Sequence, residues 1–174
     1  TPHILDDVTE QHAATISAEM GNPLAQSRAE VAKSAYAMRY YAAHAEGFLT
    51  GRVLSDPAAV SASAARTRFD PLGVVLAIMP WNYPIWQVVR FAAPALMAGN
   101  AGLLKHASNV PRSALYLGEL FTRAGFPRGA FTTLLIGSGR VEAVLRDPRV
   151  AGVTLTGSEG AGRAIGATAR ELLE

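Results

Sequence analysis

Residues 71–84 read P-L-G-V-V-L-A-I-M-P-W-N-Y-P, and the fold is decided there. Gly73–Met79 is an unbroken apolar run of strand length, closed by Pro80. A strand that is apolar on both faces belongs inside a sheet covered on both sides. A helical pattern then runs from about Pro84 to Met97, and the alternation repeats. Gly102–Lys105 predicts a second strand, with its helix from Val110 to Ala124. Phe131–Ile136 predicts a third, with a helix near Arg140–Arg146. Val150–Leu155 predicts a fourth strand and Ser158–Leu173 the last helix. Four βα units in succession predict an α/β fold, a parallel sheet whose strand carboxyl ends form the default nucleotide site.

Upstream of Pro71 the texture is helical. A first helix is expected from about Ile4 to Met20, stopped by Gly21-Asn22-Pro23. A second runs from Pro23 to about Phe48, with Leu24, Val31, Ala35, Met38, Ala42 and Ala45 at steps that build one packing face. Residues 49–57 are turn-rich, and residues 60–69 read as an exposed extended arm. The expected division is a helical lead-in over 1–57, an arm over 58–70 and a βα cofactor-binding domain over 71–174.

The 174 residues are 49% apolar and 17% charged, which suits a chain with a real core and excludes a disordered one. The chain has no cysteine, which removes disulfides, thiolate metal sites and a cysteine nucleophile from within it, and no metal site is expected. Sixteen basic and 14 acidic residues are spread without blocks, which argues against a nucleic-acid partner. The start carries no leader pattern. The apolar stretch 72–99 is broken by Pro80, Asn82, Pro84, Arg90 and Pro94, so no membrane span is expected. The expectation is a soluble, cytoplasmic protein.

The dinucleotide fingerprint G-x-G-x-x-G is absent after the first strand. Gly137-Ser138-Gly139 meets Glu142 where its third glycine belongs, and Gly157, Gly160 and Gly162 are wrongly spaced. These read as loop glycines. The first strand runs instead into Met79-Pro80-Trp81-Asn82-Tyr83-Pro84, whose two prolines stiffen the backbone and delay the helix. An asparagine held there offers an N–H pair of fixed aim, as an oxyanion hole requires. Its position equally suits a cap on the next helix.

Further pieces extend the pattern: Glu19-Met20-Gly21-Asn22-Pro23-Leu24, P-A-L-M-A-G-N at 94–100, L-K-H-A-S at 104–108, A-G-F-P-R-G at 124–129 and T-G-S at 156–158. In order and spacing they resemble the aldehyde dehydrogenase superfamily, on its succinate-semialdehyde dehydrogenase branch, across nearly the whole chain. The resemblance implies the Rossmann-like cofactor domain of that family. It implies that Asn82 donates to the oxyanion formed when a cysteine thiolate attacks the aldehyde, with Met79, Pro80 and Trp81 beside it at the cofactor. Hydride then leaves for the nicotinamide, and a glutamate-activated water hydrolyses the thioester. Lys105 matches the lysine on the adenosine ribose, although a lone lysine closing an apolar strand also reads as a snorkelling edge residue. Ser108 stands where NAD-preferring members carry a glutamate, so the implied cofactor is NADP, with NAD possible. His106 stands where a proline is more usual, and with Ala107 it is assigned only backbone proximity to the cofactor. Gly157 and Ser158 match the pyrophosphate-binding turn, where Ser158 is also a good N-cap.

Arg90 is out of place among Ile85, Trp86, Val88, Val89 and Phe91. Semialdehyde dehydrogenases resembling this chain have an arginine there for the far carboxylate of the substrate. About two helical turns, roughly 12 Å, are expected between Asn82 and Arg90. A solvated or interface arginine is the plainer alternative. The family's catalytic Glu and Cys motifs have no match in the chain. The expectation is therefore an N-terminal-half fragment, inactive alone, of an enzyme that oxidises succinic semialdehyde or a similar short semialdehyde. The alternative is a non-catalytic nucleotide-binding or assembly module derived from that family. A homo-oligomer is expected, through the 60–69 arm or a sheet edge left open where a fifth strand is absent.

Overall fold

The computed structural model describes residues 9–172. Helices α1 (Thr9–Met20) and α2 (Leu24–Leu49) lead into β1 (Val74–Met79), α3 (Trp86–Met97), β2 (Ala101–His106), α4 (Pro111–Arg123), β3 (Phe131–Thr133), α5 (Val141–Leu145), β4 (Val150–Leu155) and α6 (Glu159–Glu171). Residues 4–8 of the expected first helix, and residue 173 of the last, lie outside the described residues.

The four strands form one parallel sheet in the order β3-β2-β1-β4. The α/β fold expected from the alternating pattern is therefore the observed one. The chain works outward from β1 through β2 to β3, then crosses back to put β4 on the other side of β1. The direction of winding reverses between β1 and β4, which makes that junction the switch point of the sheet.

Strand alternation divides the core into two layers. Ala77, Met79 and Leu104 face a deep layer built with Ile16, Val31, Ala35 and Met38 of α1 and α2, Val88, Val89 and Ala92 of α3, and Leu117, Leu120 and Phe121 of α4. Leu76, Ile78, Leu103 and Val153 face a thinner layer with Val141 and Leu145 of α5 and Ile165 of α6. The side chains of β4 are half-buried or exposed and α6 buries no residue, in keeping with their place at the rim. At Gly102 of β2 a Cβ would lie 2.7 Å from the Phe131 ring, so glycine is what lets β3 and α3 close over the strand.

Three boundaries differ from the sequence expectation. Helix α3 begins at Trp86, because the Pro84 carbonyl accepts from His106 Nε2 at 2.8 Å. Asn82 is thus not on the helix, and its spacing to Arg90 is not two helical turns. Strand β3 stops at Thr133; Leu134 N–H still donates to Leu104 O at 2.8 Å, but Leu135 is exposed and the chain turns away toward Gly137. The expected helix near 140–146 is a 3-10 turn over Ser138–Arg140 followed by the five-residue α5.

Between α2 and β1 the chain doubles back on itself. Val53 and Arg66 form a single antiparallel bridge, flanked by Leu54 N–H to Ala65 O and Thr67 N–H to Arg52 O, both 2.9 Å. A 3-10 turn over Pro57–Val60 leads into its tip, and Val53, Val60 and Phe69 are exposed. Before β1, Asn100 Oδ1 accepts from the N–H groups of Leu72 and Gly73 at 2.7 and 3.2 Å. The asparagine of P-A-L-M-A-G-N thus latches the entry of β1 to the turn before β2.

Candidate functional site

Register decides which loops meet. Met79 pairs with His106, and Ile78 pairs with Lys105 on one side and Leu155 on the other. Thr156 N–H donates to Ile78 O at 3.0 Å. The 80–84 loop, the 106–108 turn and the 156–158 turn therefore lie side by side at the carboxyl end of the sheet, at its switch point. Met79 is buried and Pro80 half-buried, while Trp81, Asn82 and Tyr83 are exposed. Among the described residues Asn82 has no side-chain hydrogen bond and does not cap α3, whose N-cap position is Ile85.

Helix α3 is capped from afar. Glu30 of α2, 2% exposed, accepts from the N–H groups of Ile85 and Trp86 on Oε1 at 2.7 and 2.9 Å. Burial pushes its carboxyl up, against the opposing pull of those two amides and of Lys33. Lys33 Nζ itself rests 4.1 Å from the centre of the Trp86 ring. Glu19 of α1 does the same for α4: it accepts from Arg112 N–H at 2.6 Å, and from Ser113 N–H at 3.1 Å and Oγ at 2.6 Å. Helix N-termini attract anions, and at α3 and α4 that role is filled by the protein's own carboxylates. At α6 the cap is only Ser158, whose Oγ accepts from Ala161 N–H at 3.3 Å, and the turn over Gly157 and Ser158 is exposed. Neither glutamate stands out in the sequence as a helix cap. Glu30 has one visible signal, a charge beside Val31 on the apolar stripe of α2.

Alternation along β2 sends Lys105 and His106 to opposite faces. Lys105 shares the α5 face with Leu103, whereas His106, 5% exposed, lies with Leu104 on the deep face. His106 Nδ1 accepts from Ala107 N–H at 2.9 Å, which puts the ring proton on Nε2, the donor to Pro84 O. Burial holds the imidazole below its ordinary value, against the opposing pull of the neighbouring carbonyls. A cavity of about 250 Å³ opens beside Ala107, Ser108 and Leu134–Gly137. The same Leu134–Gly137 run borders a larger cleft of about 850 Å³ between Leu103, Arg140 and Val144 on the α5 face. Arg90 is exposed, one turn into α3, and has no ion partner among the described residues. No cluster of three or more metal-ligating side chains occurs among the described residues, nor any helix long and apolar enough to cross a membrane.

The model of the aldehyde dehydrogenase family matches residues 1–174. The chain is 59% identical over 169 residues to succinate-semialdehyde dehydrogenase [NADP(+)] 1 of Mycobacterium tuberculosis, covering 97% of the chain and 37% of that relative. It is 57% identical to the succinate-semialdehyde dehydrogenase [NADP(+)] of Mycobacterium leprae, with the same coverage. The chain thus spans little more than a third of the length of these curated relatives. Among solved structures, succinic semialdehyde dehydrogenase from Streptococcus pyogenes in complex with NADP+ superposes with a TM-score of 0.93 at 36% identity, over 99% of this chain and 37% of that one.

Proposed function

The chain belongs to the aldehyde dehydrogenase family, and from that premise we propose that it carries the cofactor cleft and oxyanion donor of an NADP-dependent succinate-semialdehyde dehydrogenase. The observation that carries this reading is the meeting of Asn82, Lys105–Ser108 and Gly157-Ser158 at one end of the sheet, with the N-terminal amides of α6 capped only by Ser158 and Glu159 of its first turn paired with Arg163 instead. The names of the mycobacterial relatives and of the streptococcal complex support the choice of NADP.

The residues present fit that cofactor. The exposed N-terminus of α6 offers N–H groups to a pyrophosphate, and Ser158 can add its hydroxyl. Lys105 reaches a ribose hydroxyl from the α5 face. Ser108 leaves the 2′ position free of a carboxylate, so a 2′-phosphate is not repelled. Pro80, Trp81 and the backbone of Met79, His106 and Ala107 line the approach. When bound, NADP accepts the hydride released as the aldehyde carbon is oxidised. Asn82 supplies an exposed amide N–H to the negatively charged oxygen that develops on that carbon, a contribution of about 3 kcal/mol in comparable sites. Arg90 pairs with the distal carboxylate of the substrate, which its exposed guanidinium, without an ion partner among the described residues, supports. The thiol nucleophile has no counterpart in a chain without cysteine, so these 174 residues alone produce no NADPH from succinic semialdehyde. The same reading makes the working enzyme a cytoplasmic homo-oligomer, with a helical lead-in over 1–57, an arm over 58–70 and the βα domain from 71 onward.

Steady-state kinetics of the full-length protein test the proposal. Succinic semialdehyde is expected to be oxidised with NADP. Arg90→Ala is expected to lower kcat/KM for it about 10- to 100-fold relative to an uncharged aldehyde, the cost of a charged hydrogen-bonded pair. An unchanged preference between the two aldehydes removes Arg90 from the substrate site.

A further inference from the structure

We propose that His106 is the positioning residue for Asn82, holding the 80–84 loop by the Pro84 carbonyl and making no side-chain contact with the cofactor. This rests on the reading of Asn82 as the oxyanion donor. An oxyanion donor on an exposed loop is useful only if the loop cannot drift, since displacements of about 0.5 Å already degrade such a site. Asn82 itself has no side-chain anchor among the described residues. Its restraint lies at the two ends of the loop, and both ends are held by other elements.

At the exit, the peptide groups of residues 84–86 are held from two sides. His106 Nε2–H donates to Pro84 O at 2.8 Å, and Glu30 Oε1 accepts from Ile85 and Trp86 N–H at 2.7 and 2.9 Å. Pro84 is fully buried and has no N–H of its own, so its carbonyl is the polar group that must be satisfied there. At the entrance, Met79 pairs directly with His106 in the sheet, and this register, not the ring, holds that end, because Nδ1 is taken by Ala107 N–H. One residue thus meets both ends of the loop, its ring at the exit and its backbone register at the entrance, and the loop's two prolines already fix their own φ. The ring lies on the deep face of β2, opposite the face that Lys105 takes. It therefore ties the strand that meets the cofactor to the loop that meets the substrate oxygen.

The test is a set of variants in the full-length enzyme, read as kcat, KM for NADP, and NADP affinity by fluorescence titration. His106→Ala is expected to lower kcat by at least about tenfold, the scale of a small misplacement at a reacting centre, with NADP affinity changed less than about twofold. His106→Gln, whose amide can again donate to Pro84 O, is expected to recover most of the loss. In an Asn82→Ala background, His106→Ala is expected to lower kcat no further, because its effect passes through Asn82. A rise in KM for NADP at unchanged kcat, or full losses that multiply in the double variant, would overturn the proposal. An Asn82→Ala enzyme with undiminished kcat would instead remove the oxyanion reading on which it rests.

Discussion

Ser108 is a small residue with a sharp consequence. It is exposed at the turn after β2, beside the cleft. A glutamate there would accept from both ribose hydroxyls of NAD but would set a carboxylate against the 2′-phosphate of NADP. Ser108→Glu in the full-length enzyme is therefore expected to raise KM for NADP at least tenfold, about 1.4 kcal/mol, and to improve NAD. Cofactor-dependence curves that do not move would assign the preference elsewhere. The resemblance assigns this position from the short run Lys105 to Ser108, whose proposed meaning is local. Glu19 and Glu30 are not, because their partners lie 93 and 55 residues away and nothing in the intervening chain announces the pairing. The role of His106 is half legible. Its nearness to the cofactor turn comes from its neighbours, while the face it takes is set by strand register.

At the scale of elements, α1 is joined to α4 by more than apolar contact. His12 is 7% exposed and stacks on Tyr116 with ring centroids 3.3 Å apart. Burial, with Arg123 adding to it, takes the imidazole from 6.5 down to about 4, while burial pushes the Tyr116 phenol up to about 12. The folded protein binds the histidine proton more weakly than the unfolded chain does, so this contribution is complete above pH 6.5 and is lost as pH falls toward 4. Denaturant unfolding at pH 7 and at about pH 4.5 should show the wild type losing about 2 kcal/mol more than His12→Phe. Equal losses would mean that His12 is not held neutral. Most elements can be read from periodicity, since β1, β2, β4 and α4 are bounded by Gly, Pro or Asn close to where apolar pattern stops. One of the misread boundaries has a visible cause. At Pro84–Trp86 the backbone is held by His106 of β2 and Glu30 of α2, partners distant in sequence that periodicity does not carry.

At the scale of the whole molecule, a single core runs from α1 and α2 through α3 and α4 onto the sheet, and a thinner one lies under α5 and α6. That asymmetry separates labour: the deep layer holds the loops, and the thin layer leaves the cleft open. The strand order β3-β2-β1-β4 is not in the sequence pattern, because four similar βα units are compatible with several orders until the crossover after β3 is seen. Once β4 stands beside β1, the turns bearing Asn82 and Ser158 become neighbours, and the cofactor reading rests on that juxtaposition. The most direct test is calorimetric titration of the 174-residue chain, first shown to unfold cooperatively, with NADP and then NAD. The expected result is saturable binding of NADP, weaker binding of NAD, and loss of both in Lys105→Ala; a cooperatively folded chain that binds neither nucleotide would contradict it.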